Sequence, residues 1–351
     1  MADKYKEKVD IVAVAKAARV SPSTVSRSFN HPGLVSPATR KRITRAVEKL
    51  GYIRNRAAQS MHGRRNATIG LIVPTIDHAI FAELIQSFSD SIDRAGFTLL
   101  IASHSYDLDR EYAMMRKLME HRVDGIALVG LEHSDASLRL LQQQRTPAMA
   151  LWNYAPDSAL PCVGADNHEA GRIAADHLLS LGHRDIGLVF PRPDGNDRAS
   201  ARLAGARERL RAAGVPLIDG WQWEASYSIA QAKQVAQDLL QRAHRPSALL
   251  CGNDVIAQGV IYGAQSCGLH VPRDISVIGI GDFKGSSEME PGLTTIRMPA
   301  RSIGEIAGER FADLITGAHA DHFRVCCPLE CIVRGTSRPV CADPRHKRRT
   351  V

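Results

Sequence analysis

The chain has 351 residues, 44% hydrophobic and 23% charged, which is ordinary globular material long enough for two or three domains with a sizeable core. No run of about 18 apolar residues and no signal-peptide pattern is present, which argues against a membrane span or export and makes a cytoplasmic protein the expectation. The net charge of +8 is uneven: residues 1–65 hold 15 Lys+Arg against 4 Asp+Glu, a net of +11, which leaves −3 for the rest of the chain.

A compact basic module on a mildly acidic body is the electrostatic footprint of a nucleic-acid binder. Ile11, Val14, Ala15 and Ala18 fall at helical spacing and predict a short amphipathic helix. A tight turn over Arg19 and Val20 leads to Ser21-Pro22, a cap followed by proline at the first helical position. Val25 and Phe29 then share one face, and Ser23, Thr24, Ser26, Arg27 and Asn30 occupy the other. Ser36-Pro37 repeats the start signal, Ile43, Val47 and Leu50 give a third helix its buried face, and Gly51 ends it. This is a helix-turn-helix plan, in which the second helix reads bases in the major groove. Residues 52–65 form a linker whose helical propensity is too short to stand alone.

From Thr68 strands alternate with helices. A buried strand over 68–73 precedes a helix over 79–95, a strand over 97–102 and a helix over 109–121. Strands over 125–129 and 148–151 flank another helix. A second cycle of strands (186–190, 248–251, 275–280) and helices (170–181, 198–213, 229–242, 254–263) starts near Ala165, residues 291–296 cross back, and a last helix covers 303–315. The rhythm predicts parallel sheets with helices on both faces, in two lobes with a cleft between them. Seven cysteines are scattered and should be reduced in such a cell compartment. The spacing of Cys326, Cys327 and Cys331 fits no zinc pattern, and that segment alternates like a strand, so no metal is expected.

The run V-A-K-A-A-R-V-S-P-S-T-V-S-R-S-F-N, then V-S-P-A-T-R-K-R-I and L-G-Y-I-R-N-R-A-A-Q-S-M, resembles the lactose/galactose-repressor family of bacterial transcription regulators without a gap. The body repeats the resemblance in D-N-H-E-A-G-R-I-A-A-D-H-L, L-G-H-R-D-I, R-L-A-G-A-R, C-G-N-D-V-I-A-Q-G, V-P-R-D-I-S-V-I-G and P-G-L-T-T-I, so it covers nearly the full length. It implies an all-α helix-turn-helix domain (10–51), a hinge (52–65) and an α/β two-lobed, periplasmic-binding-protein-like effector and dimerisation domain (66–340). The first lobe would take about 66–165 and 297–325, and the second about 166–296 and 326–340. It further implies a homodimeric repressor on double-stranded operator DNA, controlled by a small carbohydrate-type effector, with no enzyme activity, cofactor or membrane partner.

Carried over by position, Ser21, Pro22, Ser23, Thr24, Ser26, Arg27, Asn30 and Tyr52 would contact DNA, with Arg27 the donor to a guanine. Asn55, Arg56, Ala58 and Met61 would form the hinge, with Met61 the apolar wedge in the minor groove where the family usually has Leu. The family usually has Gly where Arg19 stands.

Ligands of such sheets bind beyond the carboxyl ends of strands. His78, Phe81, His104, Tyr106, Asp166, Arg202, Asn253, Asp282 and Lys284 lie there and are the effector candidates. Arg202 matches the family's ligand-clamping arginine, and its planar fork suits a diol or carboxylate. Many sugar-binding members carry two acidic or amide residues after the last strand, whereas this chain has Gly281 before Asp282, as in the gluconate-repressor branch. A more positive cleft favours a sugar acid such as gluconate. Alternatives are a purine- or neutral-sugar-responsive regulator, an activator, or a sugar-binding protein without regulatory role. Gly279-x-Gly281 is too incomplete for a dinucleotide-binding enzyme. The basic tail from Cys341 lacks a leucine heptad, so no tetramerising coiled coil is expected.

Overall fold

The structure, a computed structural model, describes residues 9–53, 65–77, 79–318 and 322–340. The chain divides into two units, Met1–Asn66 and Ala67–Val351. Among the described residues the first holds three α-helices, α1 (Ile11–Ala18), α2 (Pro22–Asn30) and α3 (Pro37–Leu50), with a short 3-10 turn over Pro32–Leu34. Each α-helix begins at a side-chain cap. Asp10 accepts from Ala13 N at 2.8 Å, Ser21 from Thr24 N at 3.2 Å and Ser36 from Thr39 N at 3.4 Å. Gly51 closes α3 with φ +63°. Val14, Ala15, Ala18, Val25, Ile43 and Ala46 form the small core, with Phe29, Leu50 and Tyr52 packed around it. Arg19 takes the left-handed backbone conformation (φ 53°, ψ 52°) at the end of α1. A residue with a Cβ pays about 1 kcal/mol there.

The second unit is two six-stranded sheets. The first sheet contains β1 (Thr68–Val73), β2 (Thr98–Ser103), β3 (Gly125–Val129), β4 (Ala148–Asn153), β5 (Cys162–Ala165) and β11 (Arg324–Cys326), in the order β11–β5–β4–β3–β1–β2. The second contains β6 (Ile186–Phe190), β7 (Gln222–Glu224), β8 (Ala248–Cys251), β9 (Ser276–Gly281), β10 (Thr294–Arg297) and β12 (Glu330–Ile332), in the order β12–β10–β9–β8–β6–β7. All pairings are parallel except β10 with β12. The central strands are buried along nearly their whole length because helices cover both faces, which is why they read as continuous apolar runs rather than as alternation.

The helices are α4 (Ala79–Arg94), α5 (Leu108–Glu120), α6 (Asp135–Gln144), α7 (Asn167–Ser180), α8 (Asp197–Ala212), α9 (Ile229–Leu240), α10 (Asp254–Ser266) and α11 (Ala300–Thr316). Three pairs pack closely: α7 with α8, α9 with α10, and α4 with α11. Small residues permit this. A Cβ on Gly171 would overlap the Arg202 carbonyl, and one on Gly205 would overlap the His168 carbonyl. Because α11 packs on α4, the chain passes between lobes three times: after β5, after β10 and between β11 and β12. Among the described residues no helix is long and apolar enough to cross a membrane.

Three local expectations change. Helix α7 starts at Asn167 rather than 170, because Asp166 caps it by accepting from Glu169 N at 3.0 Å. The segment containing Cys326, Cys327 and Cys331 is two short strands in different sheets, since the chain changes lobe between them. The edge strand β7 was not foreseen; it is three residues long, too short for a pattern. Among the described residues no three His, Cys, Asp or Glu side chains gather as a metal site.

Candidate DNA-reading helix and interlobe cleft

Helix α2 buries Val25 and Ser28 and leaves Pro22, Ser23 and Arg27 exposed on its other side. Ser21 is also exposed, but its hydroxyl is occupied as the cap and lies 2.8 Å from those of Ser23 and Thr24. Ser26 accepts from Asn30 Nδ2 at 3.2 Å, so these two half-buried side chains orient each other. Tyr52 lies against Phe29, ring centroids 6.5 Å apart, with its ring packed on the module's core. The helix therefore presents a short polar surface with one long cation, Arg27, standing out from it. The hinge candidates Asn55, Arg56, Ala58 and Met61, and the effector candidate His78, lie outside the described residues.

In the second unit the carboxyl ends of both sheets face one cleft. Cavities of about 630, 540 and 320 Å3 open along it, each lined from both lobes. Tyr106 meets Tyr227 in the first, Asp77 faces Lys284 in the second, and Trp152 faces Phe283 in the third. Arg202 is 2% exposed on α8. Its Nε donates to Asn167 Oδ1 at 2.8 Å and its Nη1 to the Gly252 carbonyl at 3.0 Å, while its Nη2 is buried with no partner. Burial pulls its pKa down to about 10, so it remains a cation at neutral pH.

The other candidates are placed unequally. Phe81 is buried and meets the Trp152 ring edge-on at 5.7 Å. His104 follows β2, is 3% exposed, and its ring has no side-chain partner, only the Asp107 backbone. Tyr106 stacks on Tyr227 across the cleft at 5.9 Å, and burial raises its phenol well above the usual range. Asp166 and Asn253 both serve as helix caps, Asn253 accepting from Ile256 N at 2.9 Å. Asp282 is engaged by Arg297 at 2.8 Å and Arg334 at 2.6 Å, so its carboxylate is already neutralised within the second lobe. Lys284 is exposed at the cleft mouth.

The sequence places Asp254 among the residues at strand ends but does not single out Asp197, Arg198, Trp152 or His133. Asp197 accepts from Leu131 N at 2.6 Å and Asn153 Nδ2 at 2.7 Å, which ties the start of α8 to the opposite lobe. Its neighbour Arg198 donates to the Val129 carbonyl at 3.3 Å. Asp254 holds the loop after β9 by accepting from Thr295 Oγ1, Ser286 Oγ and Phe283 N at 2.5, 2.7 and 3.1 Å, and burial raises its pKa. Trp152 Nε1 and His133 Nε2 are buried without partners. The Asn196-Asp197 start of α8 is a visible cap signal, but nothing local announces that the aspartate bonds across the cleft.

Comparison with known proteins follows this division. Residues 10–55 match the family described as bacterial regulatory proteins, lacI family, and residues 175–337 match a periplasmic binding protein-like domain. The HTH-type transcriptional repressor PurR of Klebsiella pneumoniae is 32% identical over 304 residues, spanning 86% of this chain and 89% of that protein. The transcription regulator GntR of Chromobacterium violaceum superposes with a TM-score of 0.72 at 29% identity, over 77% of this chain and 99% of that one. A lac repressor dimer bound to operator and the anti-inducer ONPF superposes with a TM-score of 0.84 at 25% identity, over 95% and 100%. With its helix-turn-helix unit, its two-lobed body and these full-length relatives, the chain belongs to the lacI family of bacterial regulatory proteins and is a DNA-binding transcription regulator.

Proposed function

We propose that the protein is a cytoplasmic homodimeric repressor whose affinity for a near-palindromic operator is set by a sugar acid, gluconate or a relative, held between the lobes. Residues 10–51 would bind DNA, 52–65 would act as the hinge, and 66–340 would take effector and partner. Arg27 would read a guanine while Pro22 and Ser23 line the base edges, with Ser21, Thr24, Ser26, Asn30 and Tyr52 at phosphates. The solved lac repressor dimer on its operator supports the dimeric, operator-bound arrangement.

The observation that carries the effector class is the unpaired Arg202 Nη2, a buried cationic donor beside the carboxyl end of β8. A buried polar group without a partner calls for one, and a guanidinium has only donors to offer. Asp282, the acidic group expected to accept sugar hydroxyls, is consumed by Arg297 and Arg334, which tilts the cleft toward an acceptor-bearing ligand. A flat heteroaromatic effector is the second reading, favoured by the Tyr106–Tyr227 stack and by the likeness to PurR.

Calorimetry with gluconate, glucose, galactose and hypoxanthine separates these. Gluconate should bind, and Arg202→Met should weaken it about 10- to 100-fold. Binding of only a neutral sugar or hypoxanthine overturns the sugar-acid reading.

A further inference from the structure

His104, His133 and Glu111 come from three separate elements and meet at the carboxyl end of the first lobe's sheet. His104 is the residue after β2, His133 lies in the loop after β3, and Glu111 is in the first turn of α5. Glu111 is 1% exposed, and the His133 side chain is 2% exposed. His133 Nδ1 sits 3.1 and 3.0 Å from the two Glu111 oxygens. An ionised carboxylate can only accept, so it holds a proton on Nδ1, and in the neutral tautomer that this selects Nε2 is an acceptor. That Nε2 is buried and has no partner, and the His104 ring has no side-chain partner, only the Asp107 backbone.

We infer that His104 and His133 form a hydroxyl-reading wall of the effector cleft, with Glu111 as the positioning residue that makes His133 Nε2 an acceptor. The inference rests on the cleft being the effector site. A carboxylate or phosphate cannot donate to an acceptor nitrogen, whereas a hydroxyl both donates and accepts. Imidazole nitrogens left open on both rings, at least one of them an acceptor, therefore match a polyhydroxy chain. Arg202 meets the acidic end of the same ligand. Between the two stands Tyr106, 6.5 Å from the His104 ring and within electrostatic reach of Arg202. The charged and titratable groups around His104 are Glu111, which favours its protonation, and Arg198 and His133, which oppose it; burial dominates and lowers its pKa, keeping the ring neutral near pH 7.

The test measures the affinity of the full chain for gluconate, its monodeoxy analogues, glucose and hypoxanthine. Wild type should bind one or two deoxy analogues about tenfold more weakly than gluconate. In His104→Phe and His133→Leu that penalty should disappear for the same analogues, because the group that reads the hydroxyl is gone. Glu111→Gln keeps shape but replaces a group that can only accept with one that can also donate, so it no longer fixes the proton on Nδ1. It should lower affinity for gluconate about tenfold while effector-free operator binding stays unchanged. Equal losses for every analogue, as from three histidine-region groups that only pack or hold an internal water, overturn the inference alone. So does gluconate binding that ignores all three substitutions. A wild type that binds only hypoxanthine, or none of these ligands, overturns it together with the sugar-acid reading.

Discussion

Arg27 and Arg19 show how differently two arginines can be used within one small module. Arg27 projects from α2, where its fork can engage guanine O6 and N7, a contact worth about 1–3 kcal/mol of discrimination. Arg27→Ala should lose that amount at one base position of the operator, measured by competition between operator variants. Equal losses on operator and random DNA would remove its base-reading role. Arg19 instead occupies a left-handed turn that glycine would fill without strain. Among buried residues His183 has a titration consequence. Its ring bonds Ser247 and Ser276 hydroxyls at 2.9 and 3.1 Å and the Arg338 carbonyl at 3.1 Å, and burial lowers its pKa. Below about pH 6.5 the unfolded chain takes up a proton that the folded ring resists, so stability falls as pH falls, by up to about 1.4 kcal/mol per pH unit. Thermal unfolding between pH 7.5 and 5 should therefore be steeper for wild type than for His183→Gln; parallel curves would show that the ring titrates freely.

The helices meet through glycines where two backbones must come within touching distance. Gly205 on α8 faces the His168 carbonyl of α7, three residues beyond Arg202. Alanine is the better helix former by about 1 kcal/mol. Here its Cβ would have to displace a backbone carbonyl, and overpacking of this kind costs about 1–3 kcal/mol. Gly205→Ala should lower the melting temperature and weaken effector binding through a shifted Arg202; a rise in melting temperature would show that the helices can part freely. At this scale the sequence was informative wherever the cause is local. Ser21-Pro22 and Ser36-Pro37 start helices because cap and proline act within one turn, and the apolar runs of β1, β3 and β9 mark buried strands. What joins distant residues was not legible. Alternation around Cys326 and Cys331 does not say which sheet each strand joins, and Asp282 gives no local sign that Arg297 and Arg334 consume it. His133 and Glu111 are 22 residues apart and meet only because α5 and the loop after β3 lie at the same end of one sheet.

Across the whole effector unit, a polar chain leaves α8 at Asp197, crosses to Asn153 of the first lobe and returns through Asn167 of α7 to Arg202 on α8. Asp197, at the start of α8, holds the Leu131 amide and the Asn153 side chain of the first lobe. Asn153 Oδ1 accepts from Asn167 Nδ2 at 3.3 Å, and Asn167 Oδ1 accepts from Arg202 Nε at 2.8 Å. The side chain that closes the lobes and the one placed to clamp the effector are thus three hydrogen bonds apart. Lobe closure and effector affinity should be coupled, since a ligand that needs the closed form is bound more weakly in proportion to the closed fraction. Asp197→Ala removes a charged acceptor that is bonded by two groups of the opposite lobe, each bond worth about 1.5–3 kcal/mol. The variant should show faster hydrogen exchange at the Leu131 amide and effector affinity reduced about 10- to 100-fold, with Arg202 itself unchanged. Unaltered exchange at Leu131 together with wild-type effector affinity would mean that the lobes are held by their shared core and that Asp197 serves only to start its helix.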